Sequence, residues 1–372
     1  MNLKGFLWGA LCLLAMGQTF VSCDDNEDVL DDTGSKVELP GRRAYILYEG
    51  SFGASNSGLA FYAPDGNADF VSDIYLLQNG KGMGDTGLSM LEHNDYIYVV
   101  VSGSNCVVRL NAAGVEQNRS RTFENTPRYI AAEDGFVYVT QYGGRVSKLD
   151  GVTLEEIDAY QEGDGCLEGI AECDGRLYVA NSYRYDESGN IVYNKEVWVI
   201  NANTMELERK ITDVTVNPER LWECEDRIYL ISRGDYGTVK NELQVINPYA
   251  DNQVTPLGEV TKLAEGGNGL LYLVNTTTVY DSDWNATTTN SYFTYNTTAG
   301  TMNDHSFLNE APEELFNSTV YMVEVDDETG DIYIGTSDYV NEGKVYRFDR
   351  NGTLKDSFNA GGINPNSMLF ID

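Results

Sequence analysis

Apolar and polar positions alternate with a period of two through most of this chain, and one such run returns seven times, each carrying a tyrosine: Tyr45-Ile46-Leu47, Ile97-Tyr98-Val99, Val137-Tyr138-Val139, Leu177-Tyr178-Val179, Ile228-Tyr229-Leu230, Leu271-Tyr272-Leu273 and Ile332-Tyr333-Ile334. This alternation is the mark of a half-buried strand. Its return every ~40 to 60 residues marks a repeated supersecondary unit, here the blade of a β-propeller. A second phrase precedes the tyrosine strand, as in Gly87-Leu88-Ser89-Met90-Leu91, Pro127-Arg128-Tyr129-Ile130-Ala131, Leu167-Glu168-Gly169-Ile170-Ala171 and Pro218-Glu219-Arg220-Leu221-Trp222. Weaker copies lie at Val260 to Ala264 and Ser318 to Val323. These read as the innermost strands. Turns such as Glu133-Asp134-Gly135 and Cys173-Asp174-Gly175 hairpin them to the tyrosine strands. A third phrase, as in Val107-Val108-Arg109-Leu110-Asn111, closes each unit.

The two ends are complementary. Asn364 to Phe370 reads as an innermost strand with no tyrosine strand after it, and the Tyr45 strand has no innermost strand before it. Joining them gives an all-β, seven-bladed β-propeller over 41–372, a ring whose first blade is completed by the C-terminal strand and which leaves no open sheet edge. Helix content should be minimal.

Residues 1–22 read as a signal peptide, with Lys4 ahead of a mostly apolar run from Gly5 to Met16 that is too short to span a membrane. Val21-Ser22-Cys23 resembles a bacterial lipobox, which would make Cys23 a lipidated N-terminus. Residues 23–40 then read as a flexible acidic tether, since Asp24-Asp25-Asn26-Glu27-Asp28 repels itself. An acidic run directly after such a cysteine resembles a surface-export signal, so the expected location is the outer membrane, on the cell surface and held by lipid alone. An ordinary secretory signal and a linker facing the periplasm are the plainer alternatives.

Composition mainly excludes. With 25 basic and 58 acidic residues, a net charge of −33, nucleic acid is not an expected partner. His93 and His305 are the only histidines and both fall in polar loops, so neither a histidine metal site nor a Ser-His-Asp triad is expected. Asp326 to Asp331 lacks calcium-loop spacing and reads as a hairpin turn. Cys106, Cys166, Cys173 and Cys224 show no zinc spacing and read as buried thiols, with one disulfide as the alternative.

Tyr48-Glu49-Gly50-Ser51-Phe52-Gly53, Asn125-Thr126-Pro127-Arg128-Tyr129 and Val137-Tyr138-Val139-Thr140 give the chain a likeness to a family of gut-bacterial lipoproteins. It resembles those with YncE-like propellers, and among them the BtuG type. The resemblance implies capture of cobalamin or another corrinoid, such as cobinamide, and its delivery to a BtuB-like TonB-dependent outer-membrane transporter.

In a propeller, the turns after the tyrosine strands and the starts of the innermost strands share one face. Here those segments supply Phe52, Tyr142, Arg145, Tyr183, Tyr185, Tyr236, Tyr280, Trp284 and Tyr339, with Arg128, Glu168, Glu219, Arg220 and Asn366 at the strand starts. Rigid aromatics among amide and guanidinium groups suit a large ligand with an apolar body and a polar rim. A corrin ring fringed with amides fits, and so does a sugar. The expectation is a binding protein without catalytic residues, catalytic cofactor or metal. A glycan-binding or structural accessory lipoprotein is the alternative, and a propeller lactonase or lyase using Glu168, Glu219 and Arg128 is a weaker one.

Overall fold

A computed structural model describes residues 30–267 and 269–372, so the expected signal peptide, Cys23 and the acidic run after it lie outside the described residues. The described residues form seven antiparallel sheets, six of four strands and one of three. The innermost strands are Pro365–Ile371, Gly87–His93, Pro127–Glu133, Cys166–Cys173, Pro218–Cys224, Lys262–Glu265 and Thr319–Val325, belonging to blades 1 to 7 in that order. Each hairpins to its tyrosine strand, except in blade 1.

Blade 1 is closed by the chain's two ends. Pro365–Ile371 pairs antiparallel with Arg43–Tyr48, setting Tyr45 opposite Leu369 and Ile46 opposite Met368. A bridge from Phe61 to Val71 stands in for the fourth strand, and helix Ile74–Asn79, capped by Asp73, packs outside it. Helix Glu314–Asn317 is the other α-helix among the described residues.

The repeated tyrosines are structural. All seven are buried between blades. Four hydroxyls reach into a later blade: Tyr45 donates to Ala112 O (2.6 Å), Tyr98 to Gly151 O (2.8 Å), Tyr138 to Ala202 O (3.1 Å) and Tyr178 to Asn252 Oδ1 (2.8 Å). Period-2 alternation therefore buries both faces of the second strand, one against each neighbouring blade. Cys106, Cys166, Cys173 and Cys224 are buried free thiols, and the Asp326–Asp331 segment is a hairpin turn in which Asp326 accepts from Thr329 Oγ1 at 2.8 Å.

The tether expected over 23–40 is corrected over its described part. Leu30, Val37 and Leu39 pack on the core of blades 1 and 2. Asp32 pairs with the buried Arg43 at 2.6 Å, and Asn111 donates to Thr33 O at 3.0 Å. Three well-spaced apolar side chains and one buried cation outweigh the repulsion suggested by the acidic composition. Asn111 and Arg43 lie at the face carrying the inner hairpin turns, here termed the bottom, so residues 30–40 sit on the side opposite the aromatic loops.

Candidate functional site

Loops at the top face depart from the minimal turns of the bottom. In blade 4, Arg176–Tyr185 pairs with Ile191–Asn201, and in blade 6, Leu270–Tyr280 pairs with Ala286–Asn296. The segments read from sequence as loops, Asn181 to Tyr185 and Asn275 to Trp284, are thus largely hairpin arms rising above the ring. Their Thr- and Asn-rich sequence is no obstacle, because ladder hydrogen bonds hold an arm that has no core to cover.

Three consecutive blades each present one aromatic on a tight loop closed by an aspartate. Asp235 accepts from the amides of Gly237 and Val239 (both 2.8 Å), Asp281 from Asp283 and Asn285 (2.8 and 2.9 Å), and Asp338 from Val340 and Asn341 (2.9 and 2.7 Å). Held in these loops, Tyr236, Trp284 and Tyr339 take left-handed φ values of 56°, 65° and 64°. Such a backbone costs a bulky residue on the order of 1–2 kcal/mol, and strain of this kind concentrates at functional sites. The side chains are 73, 81 and 57 % exposed, so burial of the rings does not offset it. Gly234, at φ 70°, is required in the first loop, since a Cβ there would lie 2.1 Å from Val239 O.

Below these lips lies a cavity of about 690 Å³ spanning blades 5, 6 and 7. Its wall joins Tyr236, Tyr280, Tyr321 and Tyr339 to a threonine strip at 276–278 and to the cations Arg233 and Lys262. Arg233 is ion-paired with Glu219. Lys262 Nζ lies 5.1 Å from the Tyr321 ring centre, and Tyr321 Oη donates to Glu49 at 2.7 Å. Burial in the channel, followed by the nearby Arg233 and Arg220 charges, pushes Lys262 down to about 7. Glu324, on the next innermost strand, is pushed up to about 7 by burial, against the pull of Arg220 and Lys262.

A second cluster sits across the mouth on blades 3 and 4. Arg128 Nε bonds Glu168 Oε2 at 2.9 Å, Tyr142 Oη donates to Glu168 Oε1 at 3.2 Å, and Tyr183 Oη donates to Tyr142 Oη at 3.0 Å. Burial raises Glu168 while the Arg128 charge pulls it down, and burial keeps both phenols protonated. Tyr185 stacks edge-on to Tyr183, 5.8 Å between centres.

The sequence-predicted residues therefore divide. Arg128, Tyr142, Glu168, Tyr183 and Tyr185 form one cluster, and Tyr236, Tyr280 and Tyr339 help wall the cavity, with Trp284 tilted against Tyr280 at 6.2 Å. Arg220 lies in the channel, 4.6 Å from the Tyr129 ring centre and 5.2 Å from that of Trp222. Asn366 is a blade fastener, donating to Gly87 O at 2.8 Å and Leu88 O at 3.1 Å. Arg145 is drawn outward to Glu156 at 2.7 Å, and Phe52 stands 89 % exposed on the blade 1 loop, so neither joins the two clusters. Sequence reasoning missed Lys262, Tyr321 and Glu324. Their signal was a charged or phenolic side chain set into an innermost-strand repeat.

No family model matches the chain, and no curated protein matches it. Solved structures match its fold. A quinonprotein alcohol dehydrogenase-like protein from Bacteroides thetaiotaomicron superposes with a TM-score of 0.62 at 14% identity, covering 88% of this chain and 78% of its own. A 6-phosphogluconolactonase-like protein from Bacteroides fragilis gives 0.58 at 14% identity, covering 90% and 99%. The WD40 repeats of RRP9 give 0.50 at 7% identity, covering 72% and 78%. At these identities the likeness establishes the propeller fold and nothing finer.

Proposed function

We propose that the protein is a non-enzymatic capture protein of the outer-membrane surface that binds a corrinoid on its top face and passes it to a TonB-dependent transporter. The observation that carries this reading is the walled cavity under three strained, solvent-facing aromatics. Aromatic anchors held at a backbone cost suit a preorganised binding face. A corrin ring offers a flat apolar body to Tyr236, Tyr280, Trp284 and Tyr339, and its fringe of amides matches the threonine strip and the phenols. Residues 30–40 lie on the bottom side, so lipid on Cys23 would hold the aromatic face away from the membrane.

Isothermal titration with cyanocobalamin tests the reading, and one ligand per chain is expected. Cobinamide, which keeps the ring and its amides, should bind as well. Heat from neither corrinoid, alongside heat from an oligosaccharide panel, would move the assignment to a glycan-binding accessory lipoprotein. A second reading, a propeller lactonase, draws on Lys262 and Glu324, which are poised near neutrality in one channel. Turnover of a sugar lactone that is lost in Glu324→Gln would favour it.

A further inference from the structure

In a chain whose net charge is −33, two cations of the channel, Arg220 and Lys262, rest on aromatic rings and not on carboxylates. Of the three cations that meet there, only Arg233 has a carboxylate partner, Glu219. Arg220 makes neither a hydrogen bond nor an ion pair among the described residues, and rests on the faces of Tyr129 and Trp222. Lys262 likewise rests on Tyr321 alone, although it lines the cavity and is part-buried. Glu49 is occupied by Tyr321 and Asn366. Glu324 is held partly protonated by its burial, and Lys240 and Glu259, which also line the cavity, are exposed. In the same wall, Thr276 Oγ1 is buried without a hydrogen-bond partner.

Cations set into a concave wall without partners are costly unless a charge arrives to meet them. Cation–π contact returns on the order of 0.5–2 kcal/mol, less than a full ion pair in the same surroundings.

We infer that the floor of the top-face cavity is an oxyanion subsite, in which Lys262 and Arg220, with Arg233 beside them, receive a phosphoryl or carboxylate group of the bound ligand. This rests on the top face being a ligand face, and not on that ligand being a corrinoid. Carboxylate and phosphate sources share this chemistry. Cyanocobalamin carries a phosphodiester in its nucleotide loop and cobinamide does not, which separates the ring from the anion.

The groups facing Lys262 are Arg220, Glu219 and Arg233 from blade 5, Tyr321 and Glu324 from blade 7, and Glu49 from blade 1. With Lys262 and Glu324 both titrating near 7, the site is most positive below that pH and loses positive character at both groups above it. Oxyanion binding should therefore be tighter at pH 6 than at pH 8, with proton uptake between.

The test follows the thermal midpoint of the protein as dimethyl phosphate, a monoanion at both pH values, replaces chloride at constant ionic strength, at pH 6 and pH 8. Lys262→Met serves as the baseline for nonspecific salt effects. The wild type should gain several-fold more from phosphate at pH 6 than at pH 8, and Lys262→Met should gain little at either. Lys262→Arg should keep the response with a weaker pH dependence, because a guanidinium does not titrate in this range and Glu324 is left as the group that does. Equal phosphate responses in wild type and Lys262→Met, or none in the wild type at pH 6, would overturn the subsite. Corrinoid titrations run in parallel keep the two ideas apart. A phosphate response without corrinoid binding supports the subsite and removes the corrinoid. Corrinoid binding without a phosphate response removes the subsite and leaves the capture reading standing.

Discussion

The two faces of the ring are built to different rules. At the bottom of blades 2 to 5, innermost and tyrosine strands are joined by the shortest connections available. Asn94-Asp95, Asp134-Gly135, Asp174-Gly175 and Glu225-Asp226 all have both central residues at positive φ, the conformation that two-residue hairpins require. The residues that fill them are those that tolerate that backbone cheaply, and most are acidic. The top face uses positive φ differently, spending it on Tyr236, Trp284 and Tyr339, which remain more than half exposed. Where a repeat protein follows its turn chemistry, the turn serves the fold. Where it places bulky aromatics against that chemistry in three adjacent blades, the loop serves something outside the fold.

Closure of the ring underlies both faces, and breaking it should have the largest effect. Removing residues 364–372 strips the strand paired with Arg43–Tyr48 and exposes the buried Tyr45 and Ile46. Cooperative thermal unfolding should be lost, with aggregation in its place. A truncated chain melting like the wild type would contradict the closure.

Arg128→Ala is the next largest. It leaves Glu168, with a side chain only 6% exposed, without its cation, and should cost about 3 kcal/mol in chemical denaturation. Glu168→Gln in the same background should recover part of the loss, since it removes the stranded charge.

The smallest effects separate the faces most cleanly. Tyr98→Phe removes one hydroxyl that staples blades toward the bottom, at a cost of about 1 kcal/mol in stability and with no change in ligand binding. Trp284→Ala should change stability by less than about 0.5 kcal/mol, given its exposure. Its effect should fall on binding, a loss of about 2 kcal/mol if the ring is an anchor. If Trp284→Ala destabilised the fold as much as Tyr98→Phe does, the loop would be serving the fold after all.

The architecture was legible because one physical constraint repeats. Every second strand is buried on both faces between blades, so its tyrosine-bearing alternation recurs wherever the ring needs it, and the unmatched ends announce their own pairing. Arg128, Tyr142, Glu168 and Tyr183 were legible for a related reason, since fixed offsets within the repeat deliver them to one face. The long hairpins of blades 4 and 6 were not, because Asn275 to Thr278 extends past the core and loses the apolar alternation that marks a strand. Lys262, Tyr321 and Glu324 were missed because they lie in the weakest copies of the innermost phrase, and their meeting depends on three blades facing one channel. In residues 30–40 the acidic composition outweighed Leu30, Val37 and Leu39, whose docking surface comes from blades 1 and 2.

Amide hydrogen exchange with and without cyanocobalamin compares the faces in one experiment. Protection should appear in the top-face segments 233–241, 274–288 and 336–341, along with the strand starts at Lys262 and Tyr321, while the turns at Asn94-Asp95, Asp134-Gly135 and Asp174-Gly175 exchange unchanged. Protection centred on the bottom turns would contradict the assignment of the top as the ligand face, and no protection anywhere would contradict corrinoid capture.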